Sequence, residues 1–173
     1  RLPREMLLSA GSRRRAAKVQ LLGLAGLAIS SYAFNVEMHM DEPGYEAACD
    51  IGASFSCTAV FKSPYAHPIS HWGLVNHGDL LDVSLAVAGM ILYGAYFAAA
   101  CLWSLNVMPF RQPLFLCVAI LGASFSCYLL YVLKFILRDF CIVCTGFHLV
   151  NFSMLALAIF EFCDTNGKGK KLA

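Results

Sequence analysis

FCIVCTGFHLVNFSMLALAIF, residues 140–160, runs for 21 positions without an Asp, Glu, Lys or Arg. A helix of that length crosses about 30 Å of hydrocarbon. Cys141 and Cys144 stand at its head. At a helix start, cysteines three positions apart have Cα atoms within the roughly 4.4–6.8 Å that a disulfide spans, so the bond can open and close with the backbone still. With Asp139 as the expected N-cap, the positive end of the helix faces both sulfurs and favours the thiolate, the nucleophile of exchange chemistry. The stretch therefore reads as a reactive dithiol at the mouth of a membrane helix.

The rest of the chain suits that reading. Of 173 residues, 59% are hydrophobic and 14% charged, against about 25% charged in soluble domains. Residues 19–36, 83–110 and 113–133 are also free of acidic and basic side chains. The expected fold is an all-α integral membrane protein, a bundle of four transmembrane helices at about 19–38, 83–105, 113–137 and 140–160. A cap loop over 39–82 carries a short helix, and basic segments 1–18 and 163–173 flank a single domain at 19–162. Arg13-Arg14-Arg15 and the small Ser30-Ser31 give the first stretch the look of a secretory signal. Its apolar run exceeds a typical signal core, and a retained helix is expected.

Ten of the thirteen Lys and Arg lie in the two terminal segments and at Arg111 between the second and third stretches. Because these residues favour the cytoplasmic side, both termini are expected there, with the 39–82 loop and the 134–139 turn on the outer or lumenal face. The net charge of +2 thus reflects topology and not nucleic-acid binding.

That topology brings Cys49 and Cys57 to the same face as Cys141 and Cys144, in a compartment where disulfides persist. On an uninterrupted helix Cys49 and Cys57 would stand about 12 Å apart, so Gly52 is expected to supply the bend that joins them. The alternative is a bridge from Cys57 to Cys141, and a pair that trades partners is what a thiol relay requires. Cys101, Cys117 and Cys127 read as small hydrophobes, and Cys163 as a reduced cytoplasmic thiol. The sequence GASFSC occurs at 52–57 and again at 122–127; the unlike flanks make this coincidence, not duplication.

Cys49-Asp50-x-Gly52, Cys57, Phe61 four positions on, Ser63, and Asp139-Phe140-Cys141-Ile142-Val143-Cys144 occur in that order. With Ser31-Tyr32-Ala33 closing the first helix, the chain resembles the vitamin K epoxide reductase family over residues 19–162. The resemblance implies a four-helix bundle around a quinone pocket and a membrane enzyme that reduces vitamin K quinone and the 2,3-epoxide. By that likeness Cys49 and Cys57 shuttle electrons from a lumenal thioredoxin-like partner, Cys57 passes them to Cys141, and Cys144 faces the substrate. Phe61, Tyr65 and His148 would contact it. A dithiol is the implied donor, with no bound cofactor and no metal.

The departures from the family pattern favour quinone over epoxide. His148 stands where animal members usually carry a tyrosine, Leu85 falls where they place an asparagine, and Tyr65 replaces a tryptophan. Opening an epoxide needs a proton delivered to oxygen, and two such donors are lost. Ser63-Pro64-Tyr65-Ala66 is similar to bacterial members, which reduce quinones while oxidising proteins. The alternatives are therefore a quinone-dependent disulfide-generating enzyme without epoxide activity, and a four-span scaffold with structural disulfides. A four-cysteine zinc site competes poorly with an oxidising compartment.

His39, His67, His71 and His77 form no metal-binding pattern and are expected as solvated loop residues. Pro64, Pro68 and Gly73 exclude a strand over 62–78, Trp72 is expected to anchor the cap at the membrane interface, and Lys134 to snorkel to headgroups. Lys170-Lys171-Leu172-Ala173 resembles a dilysine retrieval tail, which implies a multi-pass protein of the endoplasmic reticulum membrane.

Overall fold

A computed structural model describes residues 10–52, 56–76, 78–108 and 111–169. Helix α1, Ala10–His39, begins nine residues earlier than expected, because Ala and Arg around 13–17 are strong helix formers that carry the helix beyond its apolar span. Helix α4, Leu85–Ser104, starts where the Ser84 hydroxyl accepts the Val87 amide. Helix α5, Arg111–Tyr131, continues as a π-helical turn over Val132–Leu137 and stops at Arg138, which takes a left-handed φ of 56°. Helix α6 is Ile142–Gly169. The cap holds three short pieces instead of the single helix expected. These are α2 (Cys57–Phe61), a 3-10 turn at Pro64–Ala66, and α3 (Pro68–His71). The two prolines each occupy a first helical turn, where the missing N–H costs nothing.

Four helices are long and apolar enough to cross a membrane. Their outward faces are as apolar as their inner ones, with Leu21, Leu24, Ile91, Leu121, Leu149 and Phe160 all exposed, which suits lipid and not water. Among the described residues, α1 packs against both α4 and α6, and α6 packs against α5. The pairing of α1 with α4 rests on small residues that let backbones close in. A Cβ on Gly26 would lie 2.5 Å from the Tyr93 ring, and one on Gly23 3.1 Å from the Phe97 amide nitrogen. Helices α4 and α5 meet through aromatic side chains, with the Phe115 ring 5.8 Å from that of Tyr96 and 5.3 Å from that of Trp103.

At the end of the bundle away from the two cysteine pairs, polar groups are buried together. Glu161, 3% exposed, accepts from Ser12 at 2.9 Å and pairs with Arg15, whose guanidinium also reaches Asp164 at 2.6 Å. The Trp103 indole donates to Ser12 at 3.1 Å. Charges withdrawn from water persist only when paired in this way, so the cluster ties α1, α4 and α6 together.

Candidate active site

Cys49 and Cys57 are joined, with Cα atoms 5.9 Å apart. Gly52 lies between them at a φ of 143°, a conformation that side chains disfavour. The bend expected at this glycine is present, and the Cys57–Cys141 bridge is not formed in this state. Cys57 is nevertheless packed against Cys141, sulfur to sulfur at 3.6 Å, and both are fully buried. Asp50 next to the disulfide accepts from the Thr58 amide and hydroxyl. Partial burial opposes its charge, but the Thr58 hydrogen bonds outweigh this and hold the carboxyl below its ordinary value. Ligand atoms of Cys49, Asp50 and Cys57 lie within 4.8 Å of one another, but both sulfurs are spent in the disulfide.

The expected cap at Asp139 is corrected. The Cys141 carbonyl accepts the Thr145 amide, and the Cys141 sulfur itself accepts the Cys144 amide at 3.2 Å. Cys141 is therefore the N-cap of α6, since the left-handed turn at Arg138 carries the chain past Asp139 before the helix starts. An amide N–H aimed at the sulfur stabilises its thiolate directly, in addition to the helix dipole.

Cys144, one turn further, lines a cavity of about 160 Å³. Val60, Phe61, Tyr65 and Ala66 of the cap roof it. Leu85 to Tyr93 of α4 form one wall, and Phe125 to Leu137 of α5 the other. Leu85, at the position expected to lack a donor, is part of that wall. Phe61, Tyr65 and His148, the three proposed substrate contacts, all reach this one cavity. His148 is 4% exposed, and neither ring nitrogen has a hydrogen-bond partner. A buried imidazole in that condition is uncommon and points to a group that a ligand completes.

Asn151, not singled out in the sequence, stands at the same cavity. It accepts from the Tyr93 hydroxyl at 2.9 Å and donates to Ser126 at 2.8 Å. The signal was there: Cys144, His148 and Asn151 are spaced four and three, which puts them on one helix face, and an amide at membrane depth seldom lacks a role.

His67 is not a solvated loop residue. Its ring lies between Glu37 at 3.2 Å and Asp82 at 3.2 Å, because those two carboxylates are largely buried and draw a donor toward them. His39 stacks on Tyr45, and His71 meets Tyr65 at a tilt of 51°; His77 lies outside the described residues, as do Lys170 and Lys171. Trp72 is half-exposed and rests against Phe125 and Tyr128 of α5. Cys117 and Cys127 are exposed on the outer face of α5, within a membrane-length helix.

A profile of the vitamin K epoxide reductase family matches residues 18–159, a range that takes in both cysteine pairs, the cap and the cavity. The chain belongs to this family. It is 32% identical over 142 residues to vitamin K epoxide reductase complex subunit 1 of Mus musculus, an alignment covering 79% of this chain and 84% of that protein. The Rattus norvegicus protein of the same name matches to the same extent. Membership in the vitamin K epoxide reductase family carries the coarse class of the chemistry, a membrane oxidoreductase acting on vitamin K.

Proposed function

We propose that the chain reduces vitamin K quinone, and the 2,3-epoxide less well, with electrons passed from Cys49 and Cys57 to Cys141 and Cys144. The observation that carries this reading is the continuity of the path. Cys57 touches Cys141, Cys141 caps the helix on which Cys144 stands, and Cys144 opens into an apolar cavity. The Cys144 thiolate adds to the quinone ring, and the Cys141 thiolate then attacks the Cys144 sulfur. The carbon–sulfur bond breaks, the electron pair passes to the ring, and the hydroquinone leaves after taking up two protons. The new Cys141–Cys144 disulfide is reduced through Cys57, and the resulting Cys49–Cys57 disulfide by a thioredoxin-like dithiol protein.

Epoxide reduction also breaks a carbon–oxygen bond and releases water, so its demand for a proton donor is greater. Leu85 supplies none, and the Asn151 amide is committed to Tyr93, Ser126 and the Gly122 carbonyl. Quinone is therefore the preferred substrate. The charge distribution of the sequence supports a cytosolic side for segments 1–18 and 163–173 and a lumenal cap. Because the electrons come from protein dithiols, the same turnover generates disulfides for folding.

Assays of quinone and epoxide in membranes, with dithiol donor, test the proposal. Quinone turnover that disappears in Cys144→Ser is expected. Turnover that survives in that variant overturns the mechanism.

A further inference from the structure

Among the groups the thiol chemistry leaves unused, His67 makes the most specific contacts. Nε2 faces Glu37 on the last turns of α1, and Nδ1 faces Asp82 on the approach to α4, each at 3.2 Å. The side chain of Asp82 is 1% exposed and that of Glu37 14%. His67 follows Ala66, the last roof residue of the cavity, and sits between Pro64 and Pro68, whose rings stiffen the segment. A pull on the ring is therefore transmitted to Tyr65 and Ala66. The wall supplied by Leu85 and Ala86 begins three residues after Asp82.

We infer that His67 is a positioning residue, a proton-dependent latch that holds the cap roof over the substrate cavity by bridging the outer ends of the first and second spans. This rests on the reading of that cavity as the quinone site. Only the imidazolium carries an N–H on both ring nitrogens, so only the protonated ring can serve both carboxylates. Neutral imidazole leaves one of two buried acids without that donor, and the roof loosens. The charged groups facing the ring are Glu37 from α1 and Asp82 from the segment before α4. Lys62, a cation of the same cap, is committed to Asp41 at 3.0 Å. The latch is closed while both ring nitrogens carry a proton and is released when one is lost.

The test compares wild type with His67→Ala and His67→Arg in membranes. Arginine is charged at every working pH and carries donors enough for both acids. His67→Ala is expected to raise the KM for quinone about tenfold, the order of loss when one hydrogen bond to a charged group is removed, with kcat little changed. Wild-type KM should climb with pH, and His67→Arg should keep a low KM that no longer responds to pH. Hydrogen exchange over residues 58–72 gives a readout without turnover, with protection falling in wild type as pH rises and staying constant in His67→Arg. Unchanged KM and protection in His67→Ala, or a pH response that persists in His67→Arg, overturns the latch. Cys144→Ser run alongside separates the two ideas: if it abolishes turnover while the His67 variants behave as wild type, the quinone site stands and the latch falls. If cap exchange follows His67 while Cys144→Ser still turns over quinone, the latch holds the cap but the site beneath it has been misassigned.

Discussion

The Cys141 sulfur lies 3.6 Å from that of Cys57, which is itself bonded to Cys49. Exchange requires only that the Cys57 sulfur change partners, with no movement of α6. In Cys49→Ala combined with Cys144→Ser, Cys57 and Cys141 are left as neighbouring thiols. A mild two-electron oxidant such as diamide is expected to join them, and peptide mapping without reductant should find that bond in most molecules. Recovery of Cys57 as a thiol, or paired elsewhere, would count against a direct relay.

Asn151 fixes Tyr93 and Ser126 at the cavity. Replacing it by Leu leaves two hydroxyls without their partner at a cost of roughly 1–3 kcal/mol. Asn151→Leu should raise the quinone KM several-fold while the alkylation rate of Cys141 stays at the wild-type value. Equal KM in the two proteins would show that the network is not part of the binding surface.

Glu161 secures the opposite end of the bundle. Glu161→Ala leaves Arg15 with Asp164 alone, and the loss of a buried partner costs about 3 kcal/mol. Thermal unfolding in detergent should begin several degrees earlier, and Glu161→Gln, which can still accept from Ser12, should lose less. Turnover well below the transition should match wild type in both.

Asp50 gives the cap an acid limit. Its carboxyl is held below the ordinary aspartate value by Thr58, against the effect of partial burial. The contribution to cap order is therefore complete above the ordinary value and is lost as pH falls through the lowered one. Hydrogen exchange at residues 57–61 should accelerate in wild type between about pH 5 and pH 2, below the usual aspartate range. Asp50→Asn should lack that step, and the same step in both would exonerate the carboxylate.

The four spans were legible because bilayer length and the exclusion of charge act on composition alone, and the cysteine pairs because sulfur chemistry depends on spacing. The N-cap was misplaced by two residues. Asp139 is the better capping type, but the left-handed turn at Arg138, a tertiary outcome, decided where the helix begins. His67 looked bland because its partners, Glu37 and Asp82, lie 30 positions before it and 15 after it, and local pattern carries no sign of such a meeting. Glu161 passed as the end of an apolar run; its partner Arg15 was counted only toward orientation. Asn151 was the one omission that helix spacing could have repaired.

The membrane-length helices around the cavity set the units in which this protein meets its substrate. A cavity walled by apolar helices of membrane length takes its ligand from among the lipids in which a vitamin K quinone dissolves. Occupancy then follows the mole fraction of quinone in the bilayer, not its molarity in the buffer. Adding inert lipid or detergent at constant quinone should slow turnover by surface dilution, and a KM quoted without the lipid content would have no fixed meaning.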